Sequence, residues 1–419
     1  MNDSSQQGPT AIAVVGLGYI GLPTAAVLAQ AGHSVVGVDI NTTTVEAINE
    51  GRVPFVEEGL ETVLAGVVAQ GKLRAQTNTP SADAYIVAVP TPFKEEHKAD
   101  LSYVETAARN IAKQLKGGEL IILESTSPPG ATEHMAEVVL NERPDLTQMP
   151  DRSNSVYFSH APERVLPGRI MIEMVENDRI IGGLTQRAAE LNKELYASFC
   201  SGQLLLTDAR TAELAKLTEN AYRDVNIAFA NELSIIADRQ GINVWELIEL
   251  ANHHPRVNIL QPGPGVGGHC IAVDPWFIVS SNPGAARLIE TARNVNDRKP
   301  QLVIEKALAE ASLHQDPTIA VMGISFKPDI DDLRESPSKN IALELSKRLS
   351  SGRLLIAEPN ISQLPLELEN LENVSLCNPE EAIRLADIVL LLVDHSQFKT
   401  IERDLLEKKT VIDTKGLWR

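Results

Sequence analysis

Ala11-Ile12-Ala13-Val14-Val15-Gly16-Leu17-Gly18-Tyr19-Ile20-Gly21-Leu22-Pro23 is an apolar run that changes character at three glycines. The residues up to Gly16 are β-branched or small and read as a strand, and Tyr19 to Ala31 carries a helical pattern. Ser34 to Val38 reads as a second strand, ending at Asp39. Strand, turn, helix and strand within about thirty residues make a βαβ unit. Residues 11–32 carry no charged side chain, a length that also suits a membrane span. Gly16, Gly18, Gly21 and Pro23 interrupt the run, and no basic segment precedes it. Buried parallel strands are themselves unbroken apolar runs. The expectation is a soluble chain with neither signal peptide nor membrane span.

Gly16-Leu17-Gly18-Tyr19-Ile20-Gly21 is a G-x-G-x-x-G sequence, weak alone but placed here between a strand and a helix. Its glycines permit a tight turn and a close approach of pyrophosphate to the helix N-terminus. Asp39 can accept hydrogen bonds from the ribose hydroxyls and repels a 2′-phosphate, so NAD is expected over NADP.

The same alternation continues outward. Ala84–Val89 and Glu119–Glu124 read as strands, with a helix near residues 104–115 between them. From about Arg210 to Ala251 the pattern turns to long helices, with Ala212, Leu214, Ala215, Leu217, Ala221 and Val225 at helical spacing. After Pro317 strands return at 318–323, 353–358, 388–393 and 410–413, although no detailed internal repeat is visible. The expected fold is α/β, with two Rossmann-like parallel-sheet domains joined by a central helical domain. Its boundaries are placed at 1–208, 209–305 and 306–419. Two α/β regions flanking a helical middle imply a ligand cleft, and the middle segment is a candidate hinge and dimerisation element.

Fifty-six acidic against 38 basic side chains give a net charge of −18. That balance argues against binding nucleic acid or a membrane surface, while local cations can still hold an anionic small ligand. Cys200, Cys270 and Cys377 are odd in number and widely spaced. They suggest a reducing, cytoplasmic setting and no disulfide framework, and no metal site is expected.

The densest glycine cluster is Gly263-Pro264-Gly265-Val266-Gly267-Gly268-His269-Cys270, running on to Asp274. A thiol at the end of such a loop suits a nucleophile, although a glycine turn followed by a small buried hydrophobe reads equally well. Lys216 and Asn220 lie one helical turn apart, with Arg223 three residues further on. A lysine held beside a substrate can accept a proton, and a solvated charged face is the ordinary alternative. Pro90-Thr91-Pro92 and Glu124-Ser125-Thr126-Ser127-Pro128-Pro129-Gly130 follow two strands, where ligands collect. Turn formation explains both equally. Glu163-Arg164-Val165-Leu166-Pro167-Gly168-Arg169 sets a carboxylate beside two guanidiniums, suited to phosphate binding or to a surface ion pair. His254-Pro255-Arg256 and the segment from Gly323 through Phe326 and Lys327 to Arg334 complete the set.

Taken together, these motifs resemble the UDP-glucose/GDP-mannose dehydrogenase family over nearly the whole chain, from Gly16 to Asp413-Thr414-Lys415-Gly416-Leu417-Trp418-Arg419. UDP-glucose dehydrogenases of that family usually carry Pro-Glu-Phe-Leu where this chain has Pro162-Glu163-Arg164-Val165. The departure argues for an N-acetylhexosamine as the sugar. The resemblance implies oxidation of a sugar CH2OH to a carboxylate with two NAD+, through a thiohemiacetal and a thioester. It makes Cys270 the nucleophile, Lys216 the acid/base lysine, Asn220 an oxyanion donor, Glu163 the orienter of water and Asp274 a supporting carboxylate. It also implies NAD contacts from Tyr19, Ile20, Asp39, Thr91, Thr126 and Arg334, beside the three glycines. For the UDP-sugar it implies Arg164, Val165, Lys216, Asn220, Arg223 and His254, with Arg256, Gly267, Phe326, Lys327 and Lys415. Arg256 is expected to reach the neighbouring subunit's site, making a homodimer the functional form.

Overall fold

The structure is a computed structural model that describes residues 10–94, 97–166, 168–268 and 270–418. Pro167 and His269, which fall inside two of the motifs above, lie outside the described residues. The chain divides into two compact units, residues 1–218 and 219–419.

The first unit holds eight strands: β1 (Ala11–Val15), β2 (Ser34–Val38), β3 (Leu73–Gln76), β4 (Ala84–Val87), β5 (Leu120–Leu123), β6 (Tyr157–His160), β7 (Arg179–Gly183) and β8 (Leu204–Asp208). They form one sheet in the order β3-β2-β1-β4-β5-β6-β7-β8. Alternation sorts each central strand onto two cores. Ile12 and Val14 of β1 pack with Ile86 and Ile122 on one face, while Ala13 and Val15 pack with Tyr85, Val87 and Ile121 on the other. Helices Gly21–Gln30 and Leu60–Ala69 cover the first face, and Ser102–Ala112 and Ala131–Glu142 the second. A strand buried on both sides must be apolar at every position, which is why the opening run imitates a membrane span.

The parallel expectation fails at one place. β7 runs antiparallel to β6, with Ser159 opposite Gly183 and His160 opposite Gly182, and β8 then runs parallel to β7. The 18 residues between β6 and β7 include only the short helix Ile170–Glu176, so β7 enters the sheet from the opposite end. Sequence alternation carries no information about strand direction, and this reversal was not visible in it.

The second unit contains β9 (Thr318–Met322), β10 (Arg353–Ala357), β11 (Val374–Leu376), β12 (Ile388–Leu391) and β13 (Thr410–Asp413), in the order β11-β10-β9-β12-β13, all parallel. That is the order of the first five strands of the larger sheet, so a repeat of topology exists where no repeat of sequence was seen. Helices Ala209–Gln240, Val244–Asn252 and Arg287–Ala311 make up the helical stretch. The first is a single 32-residue helix that includes Lys216 and Asn220.

The three glycines after β1 serve different ends. Gly16 adopts φ of +95°, and a Cβ there would lie 2.6 Å from the Ala88 carbonyl oxygen. At Gly21 a Cβ would lie 1.8 Å from the Gly16 oxygen, so the helix starts against the strand end. Around Gly18 nothing lies within 4 Å. Gly21→Ala is therefore expected to destabilise the protein by about 1–3 kcal/mol through overpacking. Gly18→Ala should melt within about 0.5 kcal/mol of wild type, as an unstrained exposed change does. Thermal unfolding of the two variants checks the contrast.

Candidate active site

In the first unit the carboxyl ends of β1, β4, β5 and β6 share one edge, because these strands are parallel. Ligands collect at that edge of an open α/β sheet, where the order reverses on either side of β1. The Gly16 loop, Thr91, Thr126 and Glu163 all lie there, each just after its strand. Thr91 Oγ1 donates to Thr126 O at 2.7 Å, and Ser125 Oγ donates to Val89 O at 2.6 Å. The two turn segments are thus fastened to each other, and the Thr91 hydroxyl helps to build the site wall.

Asp39, half-buried at the end of β2, accepts Leu17 N–H on Oδ2 and Asn41 N–H on Oδ1, both at 2.9 Å. It fixes the glycine turn while remaining partly open. The open space at Gly18 faces no protein atom within 4 Å, which lets a pyrophosphate reach backbone N–H groups at the start of helix Gly21–Gln30. Tyr19 stacks on Phe55 with ring centroids 4.3 Å apart. These features fit a dinucleotide with free ribose hydroxyls.

Glu213 was missed by sequence reading. It lies on helix Ala209–Gln240, buried, and accepts Gly130 N–H at 2.6 Å, Thr132 N–H at 2.8 Å and Thr132 Oγ1 at 2.6 Å. The carboxylate therefore caps helix Ala131–Glu142, whose own N-cap is Gly130. Burial pushes the Glu213 carboxyl above the ordinary carboxylate range, and the three hydrogen bonds oppose that shift. A lone Glu inside a long helix gives no sign of capping a helix some 80 residues earlier.

Glu163 is buried, and its ion partner is Arg179 on β7, with 2.7 Å between Nη2 and Oε2. Neither arginine beside it in sequence plays that part, contrary to the expectation of a local Glu–Arg cluster. Arg164 donates from Nη1 to Asp178 O at 3.1 Å, and Arg169 pairs with Glu173 at 3.4 Å. Val165 packs against Val27, Ile170 and Met174.

In the second unit Cys270 is exposed. Its carbonyl accepts Val273 N–H at 3.1 Å and Asp274 N–H at 2.8 Å, so the residue stands at the head of the turn entering helix Asp274–Ser281. Asp274 is buried and accepts Asn220 Nδ2 at 2.5 Å. The glycines before Cys270 are dictated by packing. A Cβ at Gly267 would lie 2.5 Å from Glu335 O, and one at Gly265 would lie 2.8 Å from Pro300 and 2.9 Å from Pro337. Gly268 sits under the Phe326 ring, and its N–H donates to Glu335 O at 3.3 Å. The segment after β9 thus abuts the cysteine loop.

Lys327 and Lys415 follow β9 and β13 at the carboxyl edge of the smaller sheet, and Lys415 pairs with Asp394 at 3.1 Å. Arg334 makes a two-point contact with Asp332, at 2.9 and 2.7 Å. His254 Nδ1 accepts Arg256 N–H at 3.4 Å, and Arg223 and Arg256 are exposed. Lys216 is half-buried.

Comparison with known proteins gives the same reading. Models of the UDP-glucose/GDP-mannose dehydrogenase family match in sequence as an NAD binding domain (residues 10–200), a central domain (210–298) and a UDP binding domain (320–419). The chain is 55% identical over 418 residues to the UDP-N-acetyl-D-mannosamine dehydrogenase of Escherichia coli K12, covering 97% of this chain and 99% of that protein. It is 54% identical over 409 residues to the NDP-N-acetyl-D-galactosaminuronic acid dehydrogenase of Ralstonia nicotianae, with 97% and 96% covered. A solved UDP-N-acetyl-D-mannosamine dehydrogenase from Pyrococcus horikoshii superimposes with a TM-score of 0.85 at 37% identity, over 97% of this chain and 96% of that one. With the glycine turn, Asp39 and the cysteine loop in place, these matches make the chain an NAD-dependent UDP-sugar dehydrogenase that belongs to the UDP-glucose/GDP-mannose dehydrogenase family.

Proposed function

We propose that the chain oxidises UDP-N-acetyl-D-mannosamine at C6 to the mannosaminuronate, with two NAD+ per sugar, for surface polysaccharide synthesis. The observation that carries this reading is the exposed Cys270 beside the Asn220–Asp274 pair, on a loop packed against the Phe326 segment. NAD+ supplies the hydride acceptor for both oxidations. Lys216 takes the proton of the C6 hydroxyl in the first. An aldehyde carbon has no second hydride to release until a nucleophile adds, and the Cys270 thiolate provides the addition as a thiohemiacetal. The second oxidation leaves a thioester on Cys270, and Glu163 orients the water that cleaves it. The Asn220 amide carries two hydrogens; Asp274 takes one and so aims the other at the developing oxyanion.

Division of labour follows the expected segments, with 1–208 holding NAD, 209–305 supplying the thiol loop and the subunit contact, and 306–419 holding the uridine diphosphate. Lys327, Lys415, Arg223, Arg256 and His254 supply its cationic contacts. A homodimer in the cytoplasm is part of the same reading. Tyr222, Phe229 and Ile236 recur at seven-residue spacing on helix Ala209–Gln240 and are 71, 54 and 44% exposed, an apolar stripe suited to a partner helix.

Galactosamine is the second reading, because the Ralstonia relative matches this chain almost as well as the Escherichia one. A panel of UDP-N-acetylmannosamine, UDP-N-acetylgalactosamine, UDP-N-acetylglucosamine and UDP-glucose separates the readings. The preferred sugar should yield two NADH per molecule, followed by absorbance. Cys270→Ser is expected to stop at the aldehyde with no more than one NADH while still binding UDP-sugar; full uronate production at the wild-type rate removes the covalent step. Gly18→Ala should bind NAD at least about tenfold more weakly, about 1.4 kcal/mol, in a fluorescence titration. Mixing inactive Arg256→Ala and Cys270→Ser proteins tests the shared site. A random mixture of dimers regains about a quarter of wild-type activity if Arg256 acts across the subunit boundary, and none if it acts within its own chain.

A further inference from the structure

A second group of ionisable side chains lies directly behind Glu163. Arg179 on β7, Glu124 at the end of β5 and Tyr196 on helix Gln186–Tyr196 are all buried. Two carboxyls and one guanidinium share this region, so full ionisation would leave one uncompensated negative charge out of water. Buried charge without a partner is strongly disfavoured, and one carboxyl keeps a proton instead.

Geometry shows which. Arg179 Nη2 forms a close ion pair with Glu163, 2.7 Å from Oε2, whereas Nη1 stops 3.9 Å from Glu124 Oε1; neither Nη1 nor Glu163 Oε2 makes a hydrogen bond, so the distances decide which carboxylate the charge serves. Nη2 donates its hydrogen bond to Met174 O at 3.2 Å, and the guanidinium carbon lies 5.2 Å from the Tyr196 ring centre and 5.5 Å from that of Phe199. The cation is therefore committed to Glu163. Glu124 is surrounded by hydroxyls, with Tyr196 Oη 3.0 Å from Oε1 and Thr24 Oγ1 3.0 Å from Oε2. A proton on Oε2 can be given to Thr24 Oγ1, whose own hydrogen then turns to Met174 Sδ at 3.8 Å.

The charges around Glu124 agree. Burial is the main cause that pushes its carboxyl up to about 7, with Glu163 adding to the shift and Arg179 opposing it. Tyr196 is raised well above its ordinary range by burial and then by Glu124, so it stays a neutral donor. Burial works against the Arg179 charge, but the neighbouring carboxylates outweigh it and hold the guanidinium above its ordinary range. His160 on the adjacent strand is pushed down to about 3 by burial and carries no charge near neutrality.

We propose that Arg179 is a positioning residue for Glu163 and that the proton on Glu124 sets its grip. Neutral Glu124 leaves the guanidinium to Glu163; ionised Glu124 draws Nη1 across the 3.9 Å gap and loosens it. The functional half of this inference rests on the proposed role of Glu163 in thioester hydrolysis.

The test is single-turnover uronate release by the full-length enzyme with both substrates, for wild type, Glu124→Gln and Glu163→Gln. A glutamine is permanently neutral, so the ratio of the Glu124→Gln rate to the wild-type rate should rise about tenfold between pH 6 and pH 8, as protonated Glu124 falls from about nine tenths to about one tenth. A flat ratio with Glu163→Gln slow overturns the proposal and leaves the role of Glu163 standing. Glu163→Gln hydrolysing at the wild-type rate removes that role, and the proposal with it. Carbon-13 NMR of glutamate carboxyls in the wild-type protein keeps the question open to decision if Glu124→Gln fails to fold. One buried carboxyl titrating near neutrality supports the proposal; none doing so overturns it.

Discussion

A carboxylate at the end of the second strand holds the first loop of each sheet. In the larger sheet Asp39 accepts the Leu17 N–H, and in the smaller one Glu358 accepts Ile324 and Ser325 N–H at 2.8 and 3.1 Å. Gly16 N–H bonds to Val38 O and Gly323 N–H to Ala357 O, both at 2.8 Å, with φ near +90° at each glycine. Without that anchoring, the first loop of each sheet would have no fixed direction. The two carboxylates differ in what else they meet. Asp39 is partly open, whereas Glu358 is sealed by His395, whose Nε2 lies 3.1 Å away. Burial would raise the Glu358 carboxyl, yet the imidazole and the two N–H groups keep it below its usual range. One topology thus yields a partly open acceptor and, in its counterpart, a buried structural knot.

Legibility in the sequence followed locality. The β1–turn–helix–β2 unit was readable because glycine, apolar run and terminal Asp39 all fall within thirty residues, and the structure places strands at 11–15 and 34–38. The glycine density before Cys270 was visible in the sequence, but its cause was not. The glycines proved to answer to Glu335, Pro300 and Pro337, distant neighbours that no spacing rule names. Arg179, Glu124 and Glu213 were opaque for the same reason. Each looks like an ordinary charged residue on a strand or helix, and its meaning lies in a partner reached through the tertiary fold. The local Glu163–Arg164 juxtaposition misled in the opposite way, since adjacent residues rarely face one another on an irregular loop.

The strongly acidic composition coexists with cations in the second unit, and two of these are already engaged. Lys415 holds Asp394 and Arg334 holds Asp332. An anion that reached either cation would have to exchange with a carboxylate rather than fill an empty positive field. Such exchange favours a ligand that also satisfies the released acceptors through its hydroxyls, a demand that a nucleotide sugar meets and inorganic phosphate does not.

Close packing has an evolutionary corollary at residues 263–268. Because a Cβ at Gly265 would meet the Pro300 and Pro337 rings, and one at Gly267 the Glu335 carbonyl oxygen and the Pro337 ring, the segment has little free space to absorb drift. A shift of Glu335 or Pro337 presses directly on the glycine tract that leads to Cys270. Chimeras that exchange the smaller sheet between relatives must therefore carry the glycine tract with it, so that the two are inherited as one block.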